Sequence, residues 1–161
     1  MNYESLVPIT GIIRNISQSP NNCCNQTITI NTPQGINNFV LSPETAVVGS
    51  AQLRTGMPVA AFYDSTKPVP LIYPPQFQTE LITPLQGDET VALKFFRRNL
   101  TASDNSLRLN LSRNTRILTL NGQRYSCPPG GNFLLVYYSV TTRSIPPQTT
   151  PRKIIVLCSA A

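Results

Sequence analysis

Cysteine is the residue type with the most distinctive chemistry in this chain, and it occurs at Cys23, Cys24, Cys127 and Cys158. Two adjacent cysteines bond to each other only through a strained ring, so Cys23 and Cys24 are expected to have other partners. The C-x2-C spacing typical of a four-cysteine zinc site is absent. Two interpretations stay open: unpaired thiols, with Cys158 as a small apolar residue that closes the last strand, or exposed thiols that form disulfides between subunits.

The groups that most often catalyse reactions are missing from the sequence. The chain has no histidine, the most frequent general base and metal ligand. Its seven carboxylates form no motif, its lysines lie in no S-x-x-K arrangement, and no glycine-rich phosphate loop precedes a helix. We therefore expect a protein that is not an enzyme and that uses no cofactor or metal.

Positive charge is concentrated in the second half of the chain. Residues 1–83 carry three basic and four acidic side chains, whereas residues 84–161 carry ten basic and three acidic ones. Most of the basic residues are arginines, whose planar guanidinium suits carboxylate and phosphate. Aromatic residues lie near them, as in proteins that stack the bases of single-stranded nucleic acid. The candidate nucleic-acid or anion contacts are Arg97, Arg98, Arg108, Arg113 and Arg116, with Phe95, Phe96 and Tyr137 for stacking.

The start of the chain and its composition give opposing indications of location. The first ten residues lack the basic and apolar segments of a secretory signal peptide. No segment has the run of about 20 apolar residues that spans a bilayer. These features favour a cytoplasmic protein without a membrane span. A composition rich in Asn, Thr, Ser, Gln and Pro with only 12% charged residues favours a cell or spore surface, or the extracellular space.

Two stretches of the chain, 56–82 and 130–157, follow the same pattern. Each starts with glycine and continues through an apolar strand to an aromatic-Tyr pair. A polar segment, Pro-Pro-Gln and a second apolar strand follow. The pattern equates Phe62, Tyr63 and the Pro74-Pro75 pair with Tyr137, Tyr138 and the Pro146-Pro147 pair.

The match extends upstream of both stretches. It aligns residues 10–18 with 90–99, 25–35 with 105–114, and 37–45 with 115–123. Self-similarity of this kind predicts an internal duplication. The first repeat covers residues 1–83 and includes an N-terminal arm, and the second, basic repeat covers residues 84–161.

Five strand candidates recur in each repeat. Residues 59–64 and 133–140 are continuously apolar, as in strands buried on both faces. Gly11 lies at the start of the first strand. A short helix or turn follows the third strand, with Ser42 as its cap and Thr45 too short to complete a capping box. Together with the strands, these features resemble the OB-fold. The resemblance implies an all-β protein of two tandem five-stranded Greek-key barrels. One β-sandwich built from both halves is the alternative, because the second repeat lacks the short helical segment.

Self-assembly is the function that these features favour. A nearly neutral repeat beside a basic one suits head-to-tail stacking, and the arm over residues 1–8 suits addition to the sheet edge of a neighbouring copy. The cysteine pair with a further cysteine, the low charge and the many Asn and Thr residues resemble the subunits of bacterial endospore appendages. That resemblance implies a non-enzymatic structural subunit of a surface or extracellular fibre, with itself as partner. The alternative is a single-stranded nucleic-acid-binding protein that uses the basic second repeat.

Overall fold

Strands dominate the computed structural model, which describes residues 2–158. Met1 of the predicted arm and residues 159–161 lie outside the described part. The protein is all-β, as the sequence predicts, with short 3-10 turns at Tyr3–Ser5 and Val48–Ser50. Among the described residues, no helix has the length and apolarity needed to cross a membrane. The chain divides into an N-terminal unit, Glu4–Gly87, and a C-terminal unit that begins at Asp88.

One seven-stranded sheet makes up the N-terminal unit. Its strands are β1 (Leu6–Ser19), β2 (Asn22–Thr32), β3 (Gly35–Leu41), β4 (Ala46–Val47), β5 (Pro58–Asp64), β6 (Gln76–Gln78) and β7 (Leu81–Pro84). Their order across the sheet is β4-β7-β5-β1-β2-β3-β6. Strands β1, β2 and β3 form an antiparallel meander, β5 runs antiparallel to β1, and β6 runs parallel to β3.

Strand β6 lies at one edge of this sheet and β7 lies next to the other edge, yet only Thr79 and Glu80 separate them in the chain. The N–H of Thr79 donates to the carbonyl of Val40 in β3 at 3.0 Å. The N–H of Glu80 donates to the carbonyl of Phe62 in β5 at 2.8 Å. The sheet is therefore strongly curled. The described strands nevertheless form no closed barrel, in contrast to the two closed five-stranded barrels that the sequence predicts.

The C-terminal unit contains a four-stranded and a two-stranded sheet. Its strands are β8 (Thr90–Phe96), β9 (Arg108–Leu109), β10 (Arg116–Thr119), β11 (Asn132–Tyr138), β12 (Gln148–Thr149) and β13 (Lys153–Leu157). The larger sheet has the order β10-β13-β11-β8, and the smaller one pairs β12 with β9. As in the first unit, the last segment pairs in parallel with earlier strands, β12 with β9 and β13 with β10.

Each unit has its own apolar core. Residues 59–62 of β5 and 134–137 of β11 are buried, which confirms the central part of the predicted strands, whereas residues 63–64 are half-buried and residues 139–140 are exposed beyond the end of β11. Burial of one such side chain contributes about 1.5–3 kcal/mol relative to its exposure to water. Among the described residues, one cluster of buried apolar side chains lies in each unit. The two clusters centre on Ile13, Ile28, Phe39 and Ile82 in one unit and on Phe96, Leu109, Leu134 and Ile154 in the other.

Strand pairing identifies equivalent residues in the two units. In the pairing of β5 with β7, Phe62 faces Leu81, and in the pairing of β11 with β13, Tyr137 faces Lys153. The Pro-Pro pair of each unit lies directly before the second strand of a parallel pair. That strand is β6, which pairs with β3, or β12, which pairs with β9. In both units the second proline accepts a backbone hydrogen bond of 2.9 Å from that partner strand. Phe62 and Tyr137 therefore occupy equivalent places in their units.

The turn over residues 42–45 recurs over residues 112–115. The N–H of Ser42 donates to Thr45 Oγ1 at 3.0 Å, and the N–H of Ser112 donates to Thr115 Oγ1 at 3.2 Å. No helix forms here, and Thr45 does bond back to Ser42, contrary to expectation. The alignment of residues 37–45 with 115–123 is also wrong, because the equivalent segment is 107–115.

The first two strands differ most between the units. The carbonyl of Ile13 accepts a hydrogen bond from Gly56, as the carbonyl of Phe96 does from Gly131. From Ile13, β1 and β2 continue as a ribbon whose residues 14–27 include none that is buried, and residues 14–25 form its two-stranded part. In the C-terminal unit only a four-residue turn, residues 97–100, follows Phe96. The predicted alignments of residues 10–18 and 25–35 are displaced by this difference in length.

Strand β1 begins earlier than the sequence indicates. Residues 6–8 of the predicted arm already pair with β5, so that part of the arm is not available to a neighbouring copy. Gly11 lies inside β1 rather than at its start. A Cβ atom on Gly11 would lie 2.2 Å from the carbonyl oxygen of Asn31, so the residue allows a close approach of β1 to β2.

Candidate functional site

All four cysteines are exposed, and none forms a disulfide within the described chain. Cys23 and Cys24 lie in β2 directly after the turn at the ribbon tip, rather than in the predicted loop. Successive residues of a strand point to opposite faces, so the two thiols lie on opposite sides of the ribbon. Cys127 lies in the β10–β11 connection, and Cys158 follows β13 without closing it. In residues 2–158, no group of three or more His, Cys, Asp or Glu is placed to hold a metal ion.

Arg97 and Arg98 lie in the turn after β8, not on a strand as the sequence suggests. Strand β8 ends at Phe96 because the chain reverses there. The guanidinium of Arg97 donates to Asn105 Oδ1 at 2.7 Å and to the carbonyl of Ser103 at 3.3 Å. Both arginines are exposed. Arg97 thus supports its own turn, and Arg98 is the one that faces a cleft.

The aromatic residues expected to stack on bases do not form a surface platform. Phe96 and Tyr137 are fully buried. Phe95 is half-buried, and its ring packs edge-on against Phe133 with centroids 5.4 Å apart. The ammonium of Lys153 lies 4.5 Å from the centre of the Tyr137 ring. These rings contribute to the fold of the C-terminal unit and leave no stacking surface.

Arg113, Arg116 and Arg124 line one cleft of about 490 Å³ in the C-terminal unit. Arg113 lies in the turn over residues 112–115, and Arg116 begins β10. Arg124 follows a hairpin turn that returns the chain to an antiparallel bridge with Leu118. No residue that lines the cleft is acidic, and within residues 2–158 none of the three forms a salt bridge. The sequence identified two of these arginines and missed Arg124.

A second cleft of about 350 Å³ contains Arg98 and shares Tyr125 with the first. The N–H of Tyr125 donates to the carbonyl of Ile117 at 3.0 Å, which holds this segment beside β10. Tyr125 lines both clefts, so they are neighbours on the same surface. We call this feature the arginine groove, formed by Arg98, Arg113, Arg116, Arg124 and Tyr125. Arg108, another predicted contact, lies on β9 and lines neither cleft.

No acidic residue lines the arginine groove. Lys153 faces Arg116 in the pairing of β10 with β13. Burial lowers the pKa of Lys153, and the charges of Arg152 and Arg116 lower it further. Two of the three acidic residues of this unit form ion pairs elsewhere, Glu89 with Arg152 at 2.7 Å and Asp104 with Lys94 at 2.8 Å.

The N-terminal unit presents a cluster of exposed apolar side chains in the β5–β6 connection. Leu71 is fully exposed, Tyr73 is 84% exposed and Ile72 is 55% exposed. Val69 is 36% exposed, and prolines at 68 and 70 restrict the backbone of the same segment. We call this segment the apolar loop 68–73. Contiguous exposed apolar side chains commonly mark an interaction surface.

Packing at its base holds the apolar loop 68–73 in place. Phe77 contacts Phe39 and Tyr63, with ring centroids 5.1 and 4.4 Å away. Lys67 donates to Glu80 at 2.8 Å, which joins the start of the loop to the β6–β7 connection. A cleft of about 270 Å³ lies beneath the loop. The base is therefore ordered while the apolar tip faces solvent.

The equivalent connection of the C-terminal unit, between β11 and β12, is shorter and less apolar. Ile145 is 99% exposed and Val140 is 76% exposed. Beside it lies a cleft of about 650 Å³, with Tyr138, Val140 and Pro151 among its lining residues. Only one unit thus presents an apolar tip with three adjacent large side chains, and the other presents a wider cleft.

Comparison of the chain with protein families, with characterised proteins and with solved structures found no match. The functional assignment therefore rests on the residues and geometry described above.

Proposed function

We propose that this protein is a non-enzymatic structural subunit that binds further copies of itself through the apolar loop 68–73. The exposure of Leu71, Ile72 and Tyr73 carries this proposal. Full burial of one such side chain contributes about 1.5–3 kcal/mol. The prolines around the tip limit the conformational entropy that binding removes. Three adjacent side chains therefore supply a substantial driving force for association.

The charges of the two units favour a head-to-tail contact between copies. Two C-terminal units, each with ten basic and three acidic residues, repel one another, whereas the N-terminal unit is nearly neutral. The apolar loop of one copy would enter the cleft beside β11 and β12 of the next, against Tyr138, Val140 and Pro151. A heterologous contact that does not close into a ring generates a filament.

We also propose that each unit is an OB-like module and that the pair arose by internal duplication. Three features support this: the meander of the first three strands, the antiparallel pairing of β5 with β1, and a last segment parallel to the third strand. The recurrence of the turn over residues 42–45 at residues 112–115 supports common descent of the two units.

Disulfides between copies would make such a fibre resistant to dissociation. The exposed thiols of Cys23 and Cys24 lie at the tip of a ribbon, where a neighbouring chain has access to them. Such bonds persist in oxidising surroundings, which fits a fibre at a cell or spore surface or outside the cell. Cys127 and Cys158, which are also exposed, are the further candidates.

The assembly proposal is tested with Leu71→Ser/Tyr73→Ser in the presence of reductant. Size-exclusion chromatography with light scattering and negative-stain microscopy should show concentration-dependent polymers for the native chain and monomers for the variant. Val7→Thr/Ile12→Thr is the matched control, since it removes two exposed apolar side chains from β1. This control should still assemble. A native chain that stays monomeric at all concentrations, or a control that dissociates equally, would contradict the proposal.

A further inference from the structure

We propose that the arginine groove of the C-terminal unit binds a polymer with repeating phosphate groups. Four arginines line two neighbouring clefts of about 490 and 350 Å³ that share Tyr125. Neither cleft is lined by an acidic residue. This site is independent of the apolar loop, which belongs to the other unit.

The side chains of the groove are suited to phosphate groups. Each guanidinium offers several N–H donors in a planar fork that matches two phosphate oxygens. Elsewhere in this unit, Arg152 and Lys94 already donate hydrogen bonds to the carboxylates of Glu89 and Asp104. Within the described chain the groove arginines form no salt bridge, so an incoming phosphate need not displace a protein carboxylate.

The shape of the groove favours an extended ligand. A lone anion needs one enclosed pocket, whereas here Arg98 lies in one cleft and Arg113, Arg116 and Arg124 lie in the other, with Tyr125 in both. Several phosphates in a chain are needed to contact both clefts together.

The local field supports the same assignment. Lys153 stands opposite Arg116, and the positive charges of Arg152 and Arg116 lower its pKa in addition to the effect of burial. Like charges held close together stabilise the fold only poorly, whereas they bind an anion well. Glu89 acts on Lys153 in the opposite direction and Lys153 lines neither cleft, so the excess of positive charge at the groove comes from its arginines.

Two sources share the chemistry of repeating phosphates, inorganic polyphosphate and the phosphodiester backbone of single-stranded nucleic acid. A fluorescent oligothymidine measures binding by anisotropy at several salt concentrations, and unlabelled polyphosphate competes with it. Preference for the oligonucleotide identifies nucleic acid as the ligand, and preference for polyphosphate identifies the inorganic polymer. Either preference supports the proposal.

Two triple variants with equal loss of charge provide the decisive comparison. Arg113→Ser/Arg116→Ser/Arg124→Ser should weaken binding by more than about tenfold and reduce the slope of log affinity against log salt by about 2. Its control is Arg97→Ser/Arg108→Ser/Arg143→Ser, which removes three arginines outside the groove and should change affinity far less. Thermal melting verifies that both variants are folded.

Three results would overturn the proposal. Equal loss of binding in both triple variants would mean that only net charge matters. Displacement by inorganic phosphate at the same concentration of phosphate groups would indicate a site for a lone anion. Heparin that competes as well as either phosphate polymer would indicate an unselective surface for polyanions.

Discussion

Thr45 and Thr115 make the same two hydrogen bonds in their respective units. Each Oγ1 accepts from the N–H three residues earlier, at 3.0 and 3.2 Å. Each also donates to a carbonyl that follows the parallel strand pair, that of Thr79 at 2.8 Å or that of Pro151 at 2.7 Å. One hydroxyl therefore ties the turn before β4 or β10 to the last segment of its unit.

The equivalence predicts matched energetic effects. Thr45→Val and Thr115→Val keep the shape of the side chain but remove both hydrogen bonds, so each should lower the free energy of unfolding by about 1–2 kcal/mol. Urea denaturation measures this change. Thr45→Ser and Thr115→Ser keep the hydroxyl and should lose less. A large cost in one unit with none in the other would show that the two turns are not equivalent.

The bidentate pair of Glu89 and Arg152 is a further determinant of stability. The guanidinium donates to both carboxylate oxygens at 2.7 and 2.8 Å, and the side chain of Glu89 is only 3% exposed. Arg152→Met removes both bonds from a buried carboxylate and should cost about 3 kcal/mol in urea denaturation. Lys67→Met breaks a pair whose lysine is 63% exposed and should cost less than about 1 kcal/mol. Equal costs would show that burial does not strengthen the Glu89 pair.

Asp104 should give the protein part of its sensitivity to acid. Hydrogen bonds from Lys94 and Ser106 hold the pKa of Asp104 at about 2, below its usual value of 3.8. Because the folded pKa is lower than the unfolded one, the stabilisation is present above pH 4 and is lost as the pH falls from about 4 to 2. Asp104→Asn should be slightly less stable than the native chain at neutral pH, and thermal melting should show this gap closing near pH 2. The exposed Asp88→Asn is the control, and a gap for Asp104→Asn that persists at pH 2 would contradict the assignment.

The exposed thiols predict covalent links between native subunits. Material isolated under oxidising conditions should run as a ladder on non-reducing gels and collapse to one monomer band with reductant. Cys23→Ser/Cys24→Ser should weaken the ladder because it removes both thiols of the ribbon tip. Cys127→Ser keeps this pair and should retain more of the ladder. Four titratable thiols in native protein, with one monomer band in both lanes, would exclude cross-linking.

The sequence predicted strand positions better than strand equivalence. The apolar runs in β5 and β11 were recognisable because strands covered on both faces need apolar residues on both faces. The third strand was misaligned because the pattern matched residues 105–114 to residues 25–35 of the second strand instead. The shared L-S-x-x-T motif, at 41–45 and 111–115, was the better signal. The hydroxyls that the two repeats share form hydrogen bonds, a role that the alternation of apolar residues does not reveal.

The interaction surfaces were only partly predictable from sequence. Arg124 joins Arg113 and Arg116 through a hairpin after β10, and no spacing rule connects these positions in advance. Phe96 and Tyr137 looked like stacking residues, but the strand register turns both into the core. Apolar residues of the loop 68–73 were counted as part of the repeated pattern, since sequence alone does not show that a connection leaves them in solvent.

The β1–β2 ribbon is expected to open locally without global unfolding of its unit. Residues 14–27 include no buried side chain, so separation of the two strands exposes little new apolar surface. An opening that exposes little surface depends only weakly on denaturant concentration. Amide exchange along the ribbon and alkylation of Cys23 and Cys24 would therefore proceed by local fluctuation, at rates nearly independent of global stability. The thiols of Cys23 and Cys24 at the tip can therefore be modified while the core of the unit stays folded.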